Sequence, residues 1–264
     1  MRDVTPQVFL VGRSVPDYGA MEDYLLHVGG RKWLTRTSEG VIDNVDAQDL
    51  VEFGGRLCYR SWEPGLNPNV SKIRTDQGDY LRNILKSSHG SVLEHVSYSF
   101  VFHNVSRVLT HELVRHRAGT AASQESMRFV RLADIPFWFP DWALADEDLI
   151  REVRAALARM EWLQEWLAGH FGLDEPGVPF AEKKAKTSFM RRFAPDGVAT
   201  GIMWTANVRE LRHVIEARTN PGAEEEIRMV FAEVARIMQA EAPALFGDFT
   251  EHDDGSWVPA WSKV

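Results

Sequence analysis

The sequence predicts an α+β (loosely α/β) protein with more helix than strand, built as a single domain over residues 1–264. Two observations carry this. Strand and helix periodicities interleave without the regular repeats of a doubly wound sheet, and no Gly-rich dinucleotide fingerprint follows a strand. A mixed or antiparallel sheet packed by long helices is therefore expected. With 44% hydrophobic and 26% charged residues, the 264-residue chain can bury a sizeable core. Its 12 Pro and 19 Gly are dispersed, and no linker, low-complexity run or internal repeat marks a boundary.

The elements follow in order. Val96, Tyr98, Phe100 and Phe102 alternate with polar residues through His103, the period-two pattern of a half-buried strand. Ser106 then caps a helix carrying Val105, Val108, Leu109 and Leu113 at helical spacing, with Gly119 as its stop, which puts Arg115-His116-Arg117 in its last turn. Leu149 to Leu167 is an amphipathic helix with Val153, Leu157, Met160, Leu163 and Leu167 inward. Gly201 to Thr205 reads as a short buried strand, and Asn207 with Glu210 as the N-cap pair of a following helix. A long helix from about Ala223 to Ala240 has Pro221 near its first turn and Ile227, Phe231, Val234 and Met238 as its buried stripe.

Several function classes drop out. No apolar run approaches the roughly 18 residues of a membrane span, and the first residues lack the basic-then-apolar pattern of a signal peptide, so a soluble cytoplasmic protein with no membrane partner is expected. Cys58 is the single cysteine, so the chain forms no internal disulfide and no thiolate metal cage. A net charge of -8 argues against a nucleic-acid polymer as partner. The basic residues are nonetheless grouped, at 115–117, 128–131, 183–192 and 209–218, so phosphate binding, if present, is local; the commoner meaning of each group is a solvated helix face.

The informative stretch runs from His111 to Phe129. His111 and His116 stand five apart, which turns the second ring ~140° around a helix from the first, so they share no metal and no metal site is expected. Three cationic or near-cationic residues, a Gly/Ala/Ser/Thr loop, then Ser126 and Arg128, suit the binding of phosphate and pyrimidine carbonyls: guanidinium groups bind both in bidentate fashion, and small residues let backbone N–H groups approach closely. Taken alone, the same segment reads more readily as a basic helix end followed by an ordinary loop.

It does not stand alone. Arg115-His116-Arg117 with Ser126 and Arg128, the Ser88 to His95 block, Asn207-Val208-Arg209 through Arg218, and Arg191 ahead of Pro195 together resemble the flavin-dependent thymidylate synthases, over about residues 50–249. The resemblance implies a non-Rossmann flavin site formed between subunits, a homotetramer, and FAD, NADPH and methylenetetrahydrofolate as cofactors for methylating C5 of a uridine monophosphate, dUMP or UMP. By the same resemblance His89, Ser91, Glu94, His116, Arg117, Asn207, Arg209 and His213 would line the FAD site, with Cys58 either beside the flavin or a small buried hydrophobe. Glu112, Arg115, Gln124, Glu125, Ser126, Met127, Arg128, Arg191 and Arg218 would hold the nucleotide, with Arg115 and Arg218 carrying the largest catalytic effects. Ser126 matches a serine once proposed as nucleophile, but no obvious base stands near it in sequence, so its part is binding. The bland alternatives are core histidines for His89 and His95, a helix-start carboxylate for Glu94, and a solvated pair for Arg209 and His213.

The match departs from the family in three places. Ala118 to Glu125 makes the spacer before Ser126 eight residues where the family has seven, Ser88 replaces a glycine, and Gly222 stands where a histidine is common. Residues 21–45 and the aromatic run 137–142 have no assignable counterpart. The longer spacer motivates a UMP-accepting variant. Two other classes stay open: a flavin- and nucleotide-binding homologue without turnover, and a colourless phosphate-dependent hydrolase.

Overall fold

The computed structural model describes residues 1–33, 47–128, 132 and 134–264; residues 34–45 of the unmatched 21–45 segment and 129–131 of the basic run lie outside the described residues. The strands are β1 (Arg2–Asp3), β2 (Gln7–Arg13), β3 (Ser97–Ser106), β4 (Thr120–Gln124), β5 (Pro136–Phe137), β6 (Ala199–Asn207), β7 (Phe249–Glu251) and β8 (Trp257–Pro259). The helices are α1 (Tyr18–Val28), α2 (Gln48–Tyr59), α3 (Gln77–Lys86), α4 (Arg107–Leu113), α5 (Asp141–Leu144), α6 (Glu147–His170), α7 (Phe180–Met190), α8 (Val208–Thr219), α9 (Glu225–Glu241) and α10 (Pro243–Phe246). No helix among the described residues is long and apolar enough to cross a membrane.

The main sheet has the order β2-β3-β6-β4. Backbone hydrogen bonds fix its directions. Ser14 N–H reaches Ser97 O at 3.0 Å, Val208 N–H reaches Val96 O at 2.9 Å, and Arg107 N–H reaches Val198 O at 3.2 Å. Asn207 N–H reaches Gly119 O at 2.9 Å, and Glu125 N–H reaches Gly201 O at 3.0 Å. Partner numbers fall as the others rise, so the β3–β6 and β6–β4 pairs are antiparallel, as expected. A short parallel pair, β1–β5, and an antiparallel pair, β7–β8, complete the strand pairing.

Alternation explains β3. Tyr98, Phe100 and Phe102 are buried to 1% or less, the pattern read from the sequence, and each contributes about 1.5–3 kcal/mol of burial. At Asn104 the backbone takes φ +59°, and the buried parity then steps from even positions to Val105; asparagine tolerates this left-handed conformation better than other bulky residues. The strand runs three residues past His103 and ends on Ser106, whose side chain accepts from Leu109 N–H at 3.1 Å and starts α4. β6 repeats the device: it is longer than the predicted 201–205 and ends on Asn207, whose side chain accepts from Glu210 N–H at 2.9 Å and starts α8.

Two compact units emerge. The first comprises Met1–Phe9, Val101–His116 and Ala122–Trp204. Its core joins Leu132, Ile135, Phe139, Leu157 and Val198, with Phe137, Val153 and Met160 packed against them. The aromatic run 137–142 is thereby accounted for in part as core. A second cluster, Leu167, Ala168, Leu173 and Met190, receives Leu163. The inward face predicted for the 149–167 helix is the face that α6 buries.

The second unit comprises Leu10–Phe100, Arg117–Ala121 and Thr205–Val264. Met21, Leu25, Trp33 and Trp62 form one apolar cluster. In α2 the buried Arg56 pairs with Glu52 at 2.6 Å and donates to the carbonyls of Ser61 and Arg74, so the buried charge keeps its partners. α9 buries Ile227, Phe231, Val234 and Met238 completely, the predicted stripe. Pro221 stands three residues ahead of the cap: the helix starts after Glu224, whose carboxylate accepts from Glu226 and Ile227 N–H.

Candidate functional site

Two of the predicted local structures need correction. Arg115-His116-Arg117 does not lie in the last turn of a helix, because α4 ends at Leu113 and the chain leaves through tight turns from Arg115 N–H to Glu112 O and from His116 N–H to Leu113 O. Gly119, at φ +61°, then reverses the chain. The small-residue spacer is not a loop but strand β4, paired with β6. An Ala/Ser/Thr stretch gives little local strand signal, and the pairing that makes it a strand comes from residues some eighty positions away in sequence.

In the second unit, the start of α8 organises a cavity of about 300 Å³. Glu94, Asn207, Arg209 and His213 line it, four of the residues matched to the flavin site. Arg209 and His213 lie one helical turn apart on the exposed face of α8, while Leu211, Arg212, Val214 and Ile215 face inward. The Arg209 guanidinium meets the Glu94 carboxylate at 2.6 Å, across 115 residues of chain. Gly119 packs flat on the cap: a Cβ there would lie 2.1 Å from Asn207 Nδ2. A Cβ on Gly90 would lie 2.9 Å from Arg209 Nε. Burial pushes the Glu210 carboxyl above its ordinary pKa, and the neighbouring His213 pulls it partly back.

The remaining flavin-matched residues sit apart from that lining. His89 is half-buried, its ring edge-on to Tyr59 at 5.7 Å, and its Nδ1 is buried with no hydrogen-bond partner among the described residues. It is therefore not a satisfied core histidine, and His95 is exposed. Ser91 and Arg117 are exposed, and His116 is half-buried and closes the first unit's second segment. Cys58 is exposed, which overturns its reading as a small buried hydrophobe. Ser88 takes φ +55°, which explains why a glycine would suit this position and marks the serine as a strained substitute.

The nucleotide-matched residues fall in the first unit, all but Arg218. Arg115 and Arg191 are exposed and make no ion pair with a described residue. Gln124 donates to Thr110 Oγ1 at 3.1 Å, and Glu125 accepts from Gly201 N–H at 3.0 Å while its own N–H bonds Gly201 O. Ser126 Oγ accepts from Arg128 N–H at 3.4 Å, and Arg128 Nε is buried without a partner among the described residues. Met127 packs on the Leu132 cluster, and Glu112 is half-buried in the last turn of α4. Arg218 occupies the last turn of α8 in the second unit. Gly222 N–H bonds Asn220 Oδ1 in the turn that follows.

Sequence reasoning missed part of the cavity wall: Gly119, Glu210 and the segment 259–264, where Pro259, Trp261, Ser262 and Val264 face Arg209 and His213. Nothing local marks them, because the segment is brought to the cavity by the β7–β8 pairing, by Ala260 N–H on Asp248 O and by Arg212, which bonds Trp261 O at 3.2 Å. The lining sets Arg209, Arg212 and His213 beside the carboxylates of Glu94, Glu210 and Glu216, so it fits a cofactor that carries both acceptors and donors. A guanidinium and an imidazole share one helix face, two glycines clear the approach, and an orphaned histidine nitrogen lies in the neighbouring block.

The comparisons with known proteins agree on one family. The model for "thymidylate synthase complementing protein" matches residues 40–244. The flavin-dependent thymidylate synthase of Mycobacterium tuberculosis H37Rv is 40% identical over 215 residues, covering 79% of this chain and 83% of the relative. That of Mycobacteroides abscessus is 36% identical over 208 residues, covering 76% and 78%. Among solved structures, the UMP/dUMP methylase PolB from Streptomyces cacaoi bound with 5-Br UMP superposes with a TM-score of 0.59 at 17% identity, covering 94% of this chain and 95% of that one. Thymidylate synthase X from Helicobacter pylori with FAD and dUMP gives 0.55 at 20% identity, covering 76% and 93%. These two likenesses establish the fold.

Proposed function

The chain belongs to the flavin-dependent thymidylate synthases, and we propose that it methylates C5 of a uridine monophosphate reductively, with FAD, methylenetetrahydrofolate and NADPH, as a cytoplasmic homotetramer acting as one functional domain. The observation that carries this is the cavity at the start of α8, where Glu94 from one matched block meets Asn207, Arg209 and His213 from another, more than a hundred residues on.

The bound flavin would supply the hydride that reduces the transferred one-carbon unit. Everything else falls to the chain. Arg209 and His213 would hold the anionic part of the cofactor and Asn207 fixes the helix start beneath it, while His89, Ser91, His116, Arg117 and Cys58, which lie outside this lining, would be contributed in a site shared by several subunits. Arg115 and Arg218 donate to the uracil carbonyls and stabilise negative charge on O2 and O4 as C5 becomes nucleophilic, while Arg128 and Arg191 take the phosphate. Gln124, Ser126 and Glu112 fix the sugar and ring edge. No thiolate is needed at C6, in keeping with the single cysteine lying outside the motif.

A second reading concerns the sugar. The extra spacer residue falls between Arg117 and Ser126, in the stretch that holds the Gly119 turn and β4, and a change of length there would alter the room available to a 2'-hydroxyl. Protein supplied with FAD, NADPH and methylenetetrahydrofolate is tested by tritium release from C5-labelled dUMP and UMP in parallel. Release from dUMP alone makes the longer spacer neutral, and comparable release from UMP supports relaxed sugar recognition. No release from either, in a preparation that binds FAD, overturns the catalytic reading in favour of a non-catalytic homologue.

A further inference from the structure

We propose that Thr110 is a positioning residue for the nucleotide: its buried hydroxyl fixes the Gln124 amide so that Oε1, an acceptor, is offered to a hydrogen-bond donor of the substrate, either a sugar hydroxyl or the N3–H of the ring. The inference rests on the nucleotide reading of the stretch from Arg115 to Arg128 and adds to it the kind of group that Gln124 recognises.

The protons decide the orientation. Thr110 lies within α4 and is 1% exposed. A helical threonine turns its hydroxyl onto the carbonyl one turn back, and Thr110 Oγ1 donates to Arg107 O at 3.1 Å. A carbonyl oxygen only accepts, so this bond uses the one proton that the hydroxyl has. The Gln124 amide meets the same Oγ1 at 3.1 Å through Nε2. It has to donate there, because the flipped amide would set Oε1 against an oxygen with no proton left to give. The two ends of a glutamine amide are nearly alike in shape, and here Thr110 tells them apart.

The support on the other side is the sheet. Gln124 is the last residue of β4, and the next residue is pinned by Glu125 N–H on Gly201 O at 3.0 Å. Main chain and amide are thus both held, while Gln124 stays only half-buried and its Oε1 makes no hydrogen bond with a described residue. An acceptor fixed in this way binds a donor with little ordering cost. A phosphate oxygen, itself an acceptor, is no match for Oε1.

The test compares Thr110→Val, which keeps the shape and removes the hydroxyl, with Thr110→Ser, which keeps the hydroxyl, and repeats Thr110→Val in a Gln124→Ala background. KM and kcat for dUMP are measured in the tritium assay, and UMP is measured as a competitor of dUMP. In Thr110→Val the amide is free to turn, and nucleotide affinity is expected to fall roughly three- to tenfold, the scale of one neutral hydrogen bond, with kcat changed less than about twofold. Thr110→Ser behaves as wild type, and Thr110→Val adds nothing once Gln124 is replaced by alanine. Weakening confined to UMP supports the proposal with the 2'-hydroxyl as the donor, and equal weakening of both nucleotides supports it with a donor they share. Unchanged affinity for both nucleotides in Thr110→Val overturns the proposal, and so does an equal loss in the Gln124→Ala background, which marks a structural effect on α4. Wild-type protein that neither binds nor turns over dUMP removes the nucleotide reading and the proposal with it.

Discussion

Helix α8 and the turn after α4 both carry several arginines, and the two treat them in opposite ways. On α8, Arg212 is buried and fully engaged, with Asp248 on both its terminal nitrogens at 2.6 and 2.8 Å and the carbonyls of Leu245 and Trp261 besides. Arg209 on the same helix is exposed but already held by Glu94 and Val264. After α4, Arg115 and Arg117 are exposed and pair with no described residue. A paired arginine builds the fold or must be competed for, whereas an unpaired exposed one is a standing positive charge ready for an anion. In this chain Arg209 and Arg212 line the proposed cofactor cavity, while of the unpaired two Arg115 belongs to the proposed nucleotide site and Arg117 to the proposed cofactor surface.

The largest expected effect breaks the buried pair. Asp248→Asn leaves Arg212 charged and buried with half its partners, and the protein is expected to lose about 3–5 kcal/mol of stability, read as a lower urea midpoint. A loss below about 1 kcal/mol would place the pair with surface ion pairs. Next is Arg115→Ala. Its side chain supports no described contact, so folding should be unchanged while turnover in the tritium assay falls ~10²- to 10³-fold, the scale for removing one donor to developing charge. Turnover within a few-fold of wild type would move the uracil contact elsewhere.

Two smaller changes sharpen the picture around the cavity. Ser88→Gly removes a left-handed serine and should raise stability by about 1 kcal/mol; a destabilised variant would mean that the serine side chain makes a compensating contact. Glu210→Gln addresses pH. The folded carboxyl holds its proton to higher pH than the unfolded one, so its contribution to stability is full below the ordinary carboxylate pKa and falls as pH rises through the raised value. The substitution should flatten that fall in urea midpoints taken from about pH 4 to 7, and an unchanged profile would deny the burial effect.

What could be read in advance followed from locality. The β3 alternation, the Ser106 and Asn207 caps and the α9 stripe are set within a few residues of chain, and they appear as expected. The Arg115 triplet was placed one turn too far into a helix because a 3-residue turn and an α-turn share their apolar spacing up to Leu113. β4 and segment 259–264 were not legible, since β4 is fixed by pairing with β6 some eighty positions on and the segment is held by Arg212, 49 positions back. Nor could sequence tell Arg212 from Arg209. Three residues apart on one helix, they take different faces: Arg212 is buried against Asp248, 36 positions on, while Arg209 is exposed and pairs with Glu94.

The division of labour between the two arginine sets is tested most directly by titrating FAD into wild type, Arg209→Ala and Arg115→Ala, then dUMP into whichever proteins carry FAD. The account predicts that Arg209→Ala loses FAD affinity at least tenfold, a change of about 1.4 kcal/mol, while Arg115→Ala binds FAD normally and fails to bind dUMP. If Arg209→Ala binds FAD as wild type does, or Arg115→Ala binds dUMP unimpaired, the assignment of cofactor and nucleotide to these two regions is wrong.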